Sequence, residues 1–166
     1  LNIAKGNCKH LGAMIGVDKE EMATFVREQL NKQEPILNAI KSNTCPAQLA
    51  LQLARVCALP RPNYLMRSMP MYATIGPLEE FDNSLRQAVF SRFNLPQPLP
   101  EPALLTLNQP IRNGGIGFRS MSLVVPAAAW SSYVQASEDI MEILHRSELR
   151  HDLPENYQLP SVSDKD

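Results

Sequence analysis

The cations of this chain are the residues whose type and placement point most directly to a chemical task, and that task is holding a polyanion. Lys9 and His10 precede a Leu11-Gly12 step, Arg61 and Arg67 bracket a segment broken by prolines, and Arg55 stands just upstream. No Asp or Glu occurs between residues 35 and 78, where Lys41, Arg55, Arg61 and Arg67 fall. A cation set against a phosphate gains from the counterions it releases, so an acid-free stretch reads as a polyanion-facing surface. A solvated protein face carries such cations equally well. Residues 138 to 166 have the opposite balance, with Glu138, Asp139, Glu142, Glu148, Asp152, Glu155, Asp164 and Asp166 against Arg146, Arg150 and Lys165.

Each residue carries two readings. Lys9 and His10 either meet phosphates or sit on an exposed strand edge, where lysine discourages edge pairing, and the edge is the preferred reading. Gly12 marks either the close approach of another backbone or a β-bulge. Arg61 either touches phosphate and sugar or caps carbonyls, and both stay open. For Arg67 a structural role is preferred, such as pairing with Asp82. Asp82 itself reads as a helix-dipole partner or half of an ion pair rather than a metal ligand.

Other chemistries find little support. Gly114, Gly115 and Gly117 could cradle a phosphate, but the spacing of a P-loop is missing. They read better as a tight structural turn packed against the Ala127-Ala128-Ala129 helix, with Trp130 filling the neighbouring gap. Ser131, Ser132, Asp139 and His145 lack a nucleophile elbow. The histidines and the three cysteines, Cys8, Cys45 and Cys57, show no metal-ligand spacing. No catalytic residue, metal or cofactor is expected. An odd cysteine count fits a reduced, intracellular setting, with nucleus and cytoplasm not distinguished. No apolar run approaches the ~18 residues of a membrane span, so no membrane partner is expected. The 166 residues, 44% hydrophobic and 20% charged, suit one globular domain. A chain opening on Leu1 reads as a fragment or a processed form.

Periodicity predicts the elements that must position these residues. Residues 2 to 17 read as a β-hairpin turning at Gly6-Asn7, with Ile3 on one side and Leu11 and Ile15 on the other. Asp18 and Glu21 form a capping-box pattern ahead of Met22, Phe25, Val26 and Leu30 on one helical face. Pro35 suits the first turn of a short helix carrying Ile36, Leu37 and Ile40. A third helix, from Thr44-Cys45-Pro46, is predicted to bury Leu49, Leu53, Val56 and Cys57. A brief helix over 63–69 follows, then a longer one opened by Pro77, burying Leu78, Phe81, Leu85, Ala88 and Val89 and ending near Phe93. The prolines of residues 94 to 102 predict a stiff, extended connection. After a helical turn over 103–107 and the glycine loop, a last helix runs from about Ser122 through Leu144. The fold class is therefore mostly α, an N-terminal β-hairpin followed by a helical bundle.

Taken in order, Leu11-Gly12-Ala13-Met14-Ile15-Gly16, Pro60-Arg61-x-x-Tyr64-x-x-Arg67, Phe81-Asp82, Gln109 to Phe118 with its Gly-Gly-x-Gly, and Ala127 to Ser132 resemble the region downstream of the catalytic palm in non-LTR-type retroelement reverse transcriptases. The resemblance covers roughly residues 8 to 135. Gln109 departs from it, standing where a leucine is usual. It implies a primer-grip-like β-hairpin over 1–17 and a helical thumb-like domain over 18–150, while charge balance and the stretch after Pro154 predict an acidic, flexible tail over 151–166. It implies an RNA–DNA template–primer duplex as partner, with the missing polymerase palm as another. Lys9, His10, Gly12, Arg55, Arg61 and Arg67 become the nucleic-acid-binding candidates, and substituting Arg55, Arg61 or Lys9 should weaken binding. The parent protein would be an RNA-directed DNA polymerase. The family's Tyr-x-Asp-Asp-like motif is absent, however, and two-metal nucleotidyl transfer needs carboxylates holding ions about 4 Å apart. The isolated chain is thus predicted inactive. The alternative is a domesticated retroelement remnant that serves as a helical protein–protein interaction module, a reading that the acidic tail and near-zero net charge favour.

Overall fold

A computed structural model of the chain describes residues 6–95 and 99–146, with side chains placed through residue 143. The predicted fold class is the one observed. Two short strands, β1 (Cys8–His10) and β2 (Ala13–Ile15), pair antiparallel and precede seven helices, α1 (Lys19–Asn31), α2 (Glu34–Lys41), α3 (Ala47–Leu53), α4 (Asn63–Ser68), α5 (Met71–Arg92), α6 (Glu101–Asn108) and α7 (Met121–Arg146). The chain divides into two compact units, Leu1–Ser132 and Tyr133–Asp166. The expected tail over 151–166, and the expected hairpin residue Ile3, lie outside the described residues.

The hairpin turns at Leu11-Gly12, not at Gly6-Asn7. Register pairs His10 with Ala13, which leaves two residues in the turn. Both take positive φ, 47° at Leu11 and 83° at Gly12. Right-twisted hairpins favour this conformation, and glycine adopts it without a steric penalty. Asn7 has another task. Its side-chain amide donates to the Asp18 carbonyl at 2.9 Å, and its Oδ1 accepts from Asp18 N–H at 3.0 Å. It therefore ties the base of the hairpin to the start of α1. Leu11 and Ile15 are exposed, while Ala13 and Met14 enter the core.

The α1 N-cap and buried face match their prediction, but the capping box does not close, since Asp18 N–H donates to Asn7 Oδ1 and not to Glu21. Asp18 Oδ1 accepts from the N–H groups of Glu20 and Glu21 at 3.0 and 3.1 Å. Met22, Phe25, Val26 and Leu30 are all buried. They pack against α5, as does Ile40 of α2, so α5 is the central strut of the first unit.

Helix α5 begins at Met71, and Pro77 lies within it rather than opening it. A proline at this position cannot donate to the carbonyl four residues back, a defect of about 3 kcal/mol in an isolated helix. Burial of Leu78, Phe81, Leu85, Ala88 and Val89 on the same helix outweighs it. At the far end Arg92 Nε donates to the Cys45 carbonyl at 3.2 Å, anchoring α5 to the connection between α2 and α3.

The third helix buries only part of the predicted face, since Leu53 packs against the core and Cys57 is half-buried. Ala50, Ala54 and Ala58 point inward, whereas Leu49 is exposed and Val56 is 72% exposed. The helix widens into a π-helical turn over Ala54–Ala58, which shifts the phase of every residue after Leu53 relative to an ideal 3.6 period. Small side chains on the inner face permit close approach to α5.

Beyond residues 96–98, which lie outside the described set, α6 spans eight residues where one turn was expected. The first part of α7 reaches Ser132. In it Val125 is buried and Ala128 packs against the core, but Trp130 is 66% exposed and fills no internal gap. In the second unit the helix continues from Tyr133, with Ile140 and Ile143 exposed and Ser137 Oγ donating to the Val134 carbonyl at 2.8 Å. Among the described residues no helix is long and apolar enough to cross a membrane.

Candidate nucleic-acid interface

The hairpin turn and the segment before α4 meet. Tyr64, in the first turn of α4, donates its hydroxyl to the Leu11 carbonyl. Its ring edge lies 3.5 Å from where a Cβ on Gly12 would stand. The left-handed Leu11 is thereby held by a bond to its own carbonyl, and Gly12 is required by its φ.

Beside this clasp runs a groove of about 240 Å³, lined by Gly12, Lys32, Gln33, Arg61, Tyr64 and Leu65 among others. No described residue lining it is acidic. Lys32 Nζ donates to Gln29 Oε1 at 2.6 Å, which holds that ammonium at the groove wall. Gln33 forms the junction between α1 and α2, is only 3% exposed, and its Oε1 has no hydrogen-bond partner. The groove is thus a cationic slot with an unused polar group beneath it.

Of the six candidate binding residues, the structure brings two together here, Gly12 and Arg61. Lys9 and His10 lie exposed on β1, and the Lys9 ammonium stands 5.2 Å from the centre of the Phe25 ring. Arg67 is exposed on α4. Arg55 does not line the groove. It is half-buried, and its Nε and one terminal nitrogen are each 3.6 Å from the position a Cβ on Gly117 would take. Sequence reasoning named Tyr64 only as part of a block and missed Lys32 and Gln33. The missed pair sit at a helix junction that no local pattern distinguishes.

The glycine loop is a structural turn, but it closes on α6 rather than on the alanine-rich helix. Gly117 N–H donates to the Gln109 carbonyl at 2.8 Å, Gly115 N–H to Pro110 at 3.2 Å and Phe118 N–H to Leu107 at 2.9 Å. Those donors are spent inside the protein, not gathered on an anion. A Cβ at Gly115 would come within 2.1 Å of the Gln109 carbonyl oxygen. Phe118 then packs against Phe90, ring centres 6.1 Å apart.

Asp82 serves a helix dipole, though not that of its own helix. Its Oδ1 accepts from Met121 N–H at 2.9 Å, and its Oδ2 from Ser120 Oγ at 2.7 Å, Ser122 N–H at 3.0 Å and Ser122 Oγ at 3.1 Å. It caps the start of α7 from the middle of α5. Elsewhere Arg27 and Glu80 form a forked ion pair on the surface, 2.8 Å at its shortest. The hydrogen bonds from Arg27 hold the Glu80 carboxyl below its ordinary range, and those same bonds raise Arg27. Among the described residues no group of three or more His, Cys, Asp or Glu is placed to hold a metal ion.

Comparison of the chain with protein-family models, with curated proteins and with solved structures finds no match.

Proposed function

We propose that this chain is a non-catalytic, thumb-containing part of a reverse-transcriptase-like protein and that it holds an RNA–DNA template–primer duplex. The observation that carries the reading is the clasp between Tyr64 and the Leu11-Gly12 turn, with Arg61 beside it. It joins two sequence blocks, Leu11 to Gly16 and Pro60 to Arg67, that resemble the primer grip and a later Pro-Arg-x-x-Tyr-x-x-Arg block of that family. A second junction, Asp82 with Ser120 to Ser122, joins the Phe81-Asp82 block to the segment after the glycine loop. Residues that resemble a family pattern thus meet in pairs as joints of the fold. On this reading the protein works inside the cell with a polymerase palm, whose carboxylates supply the chemistry.

The deciding experiment is binding of the purified chain to a labelled RNA–DNA hybrid titrated with salt. Affinity should fall linearly as log salt rises, because each phosphate contact releases counterions. Absence of binding at low salt rules the reading out. A second reading, a helical interaction module, draws support from Leu123, Ala127 and Trp130, exposed at i, i+4 and i+7 of α7. It expects self-association or partner capture together with negligible hybrid binding.

A further inference from the structure

Two apolar helix faces of this chain lie open, and they carry opposite charge. The first belongs to α3 and the π-helical turn that extends it. Leu49, Gln52, Leu53, Val56 and Cys57 line a groove of about 460 Å³, and among the described residues lining it Arg55 alone is charged. Leu49 is 44% and Val56 72% exposed, so both side chains are open to a partner. Val56 stands on the π-helical turn, and such turns are frequent at functional sites. Among the described residues the half-buried Arg55 guanidinium has neither a hydrogen bond nor an ion pair. The second face lies on α7 beyond Ser132. Tyr133, Ala136, Ile140 and Ile143 follow at steps of three, four and three residues, the spacing of one helical stripe. Tyr133, Ile140 and Ile143 are exposed. Residues 133–143 hold Glu138, Asp139 and Glu142 and no cation, and Asp139 borders the stripe one turn before Ile143.

We propose that a second copy of this chain fills the groove, its Tyr133-to-Ile143 stripe lying along Leu49, Leu53 and Val56 with Asp139 meeting Arg55. An amphipathic helix docks in an apolar groove through residues spaced in this way. Charge complementarity selects the occupant, since the groove holds a cation and no acid while the stripe is bordered by acids and no cation. A nucleic-acid strand would bring phosphate to Arg55 but nothing apolar enough to cover Leu49 and Val56. Every copy carries both faces, so self-association covers both at once. The inference goes beyond duplex holding and does not depend on it.

Sedimentation equilibrium of the full chain over a concentration series tests the contact. The mass should rise with concentration above that of a single chain. Val56→Glu sets an acid against the acidic stripe, and Ile143→Lys sets a cation against the groove that holds Arg55. Both positions are exposed, so melting temperatures should hold. Each variant alone should associate roughly tenfold more weakly or worse, because an unpaired charge is pressed into an apolar contact. A 1:1 mixture should associate again, since each variant keeps the face that the other has lost. A single-chain mass at every concentration up to about 1 mM overturns the proposal. Association that either substitution leaves unchanged also overturns it, and would move the contact to the Leu123, Ala127 and Trp130 stripe or to one face pairing with itself. A mixture that associates no better than its components overturns it too. If a variant fails to fold, Leu49→Glu replaces it at the groove and Ile140→Lys at the stripe.

Discussion

At the scale of single residues, Asp82 shows how a short polar side chain can serve an element far away in sequence. It is buried, and its two oxygens accept four hydrogen bonds from Ser120, Met121 and Ser122. Removing the carboxyl strands those donors at the first turn of α7. Asp82→Ala should therefore lower stability by about 2–4 kcal/mol, and the midpoint of a urea transition measures it. A loss under about 0.5 kcal/mol would reduce the cap to a surface contact. A helix-dipole role for Asp82 was legible from its type and helical setting. The helix it serves was not, because nothing local links residue 82 to residue 120. The Arg27–Glu80 pair behaves differently, since both side chains are about half exposed. With the folded carboxyl held low by Arg27, its contribution is present at neutral pH and lost as pH falls through and below the ordinary glutamate range. Water screens the pair, so Glu80→Gln should cost less than about 1 kcal/mol at neutral pH. That difference from the unsubstituted chain should vanish in strong acid, as paired urea titrations would show.

At the scale of elements, the third helix is where periodicity misled. Leu49, Leu53 and Val56 look like a core face, yet only Leu53 packs against the core, and alanines at 50, 54 and 58 fill the fully buried places. Two physical facts account for this. The π-helical turn over Ala54–Ala58 shifts the angular phase, and close approach to α5 selects small side chains over greasy ones. Ala54→Leu should consequently overpack the contact and cost about 1–3 kcal/mol, whereas Val56→Ala should change stability by less than about 0.5 kcal/mol. Melting curves of the two variants test the phase directly, and the reverse order would restore the leucine face. The opposite case is α1, whose boundary and buried stripe were both legible. There the cap, the apolar spacing and the packing partner agree, which is the condition under which local pattern determines an element. The hairpin lies between the two. Its existence was readable, but its turn was not, because Gly6-Asn7 and Leu11-Gly12 both offer a glycine. Only the second has Tyr64 to hold the non-glycine residue in a left-handed conformation.

At the scale of the whole molecule, the net charge of −1 conceals where the cations stand. If the chain holds a duplex, Arg61 and Lys32 at the groove, with Lys9 exposed on β1, are the candidate cations placed to meet phosphates. Three such contacts would give a slope of log affinity on log salt no steeper than about −3. Arg55 belongs with the candidates by sequence, since it shares their acid-free stretch, but its guanidinium lies against Gly117 and not in the groove. The two arginines should therefore separate. Arg61→Ala should weaken hybrid binding and lower the slope by about 1, with the folded state as stable as before, because the residue is exposed. Arg55→Ala should leave the slope unchanged and instead lower the melting temperature, because the half-buried guanidinium packs against the glycine loop. Salt titrations and thermal melts of both variants make the distinction. Equal losses of slope would mean that the duplex spans both faces of the bundle and that the groove beside Tyr64 is not the centre of the interface. Loss of slope with Arg55→Ala alone would move the interface to the π-helical turn, where the cation, and not the clasp, would then be the feature that recognises the strand.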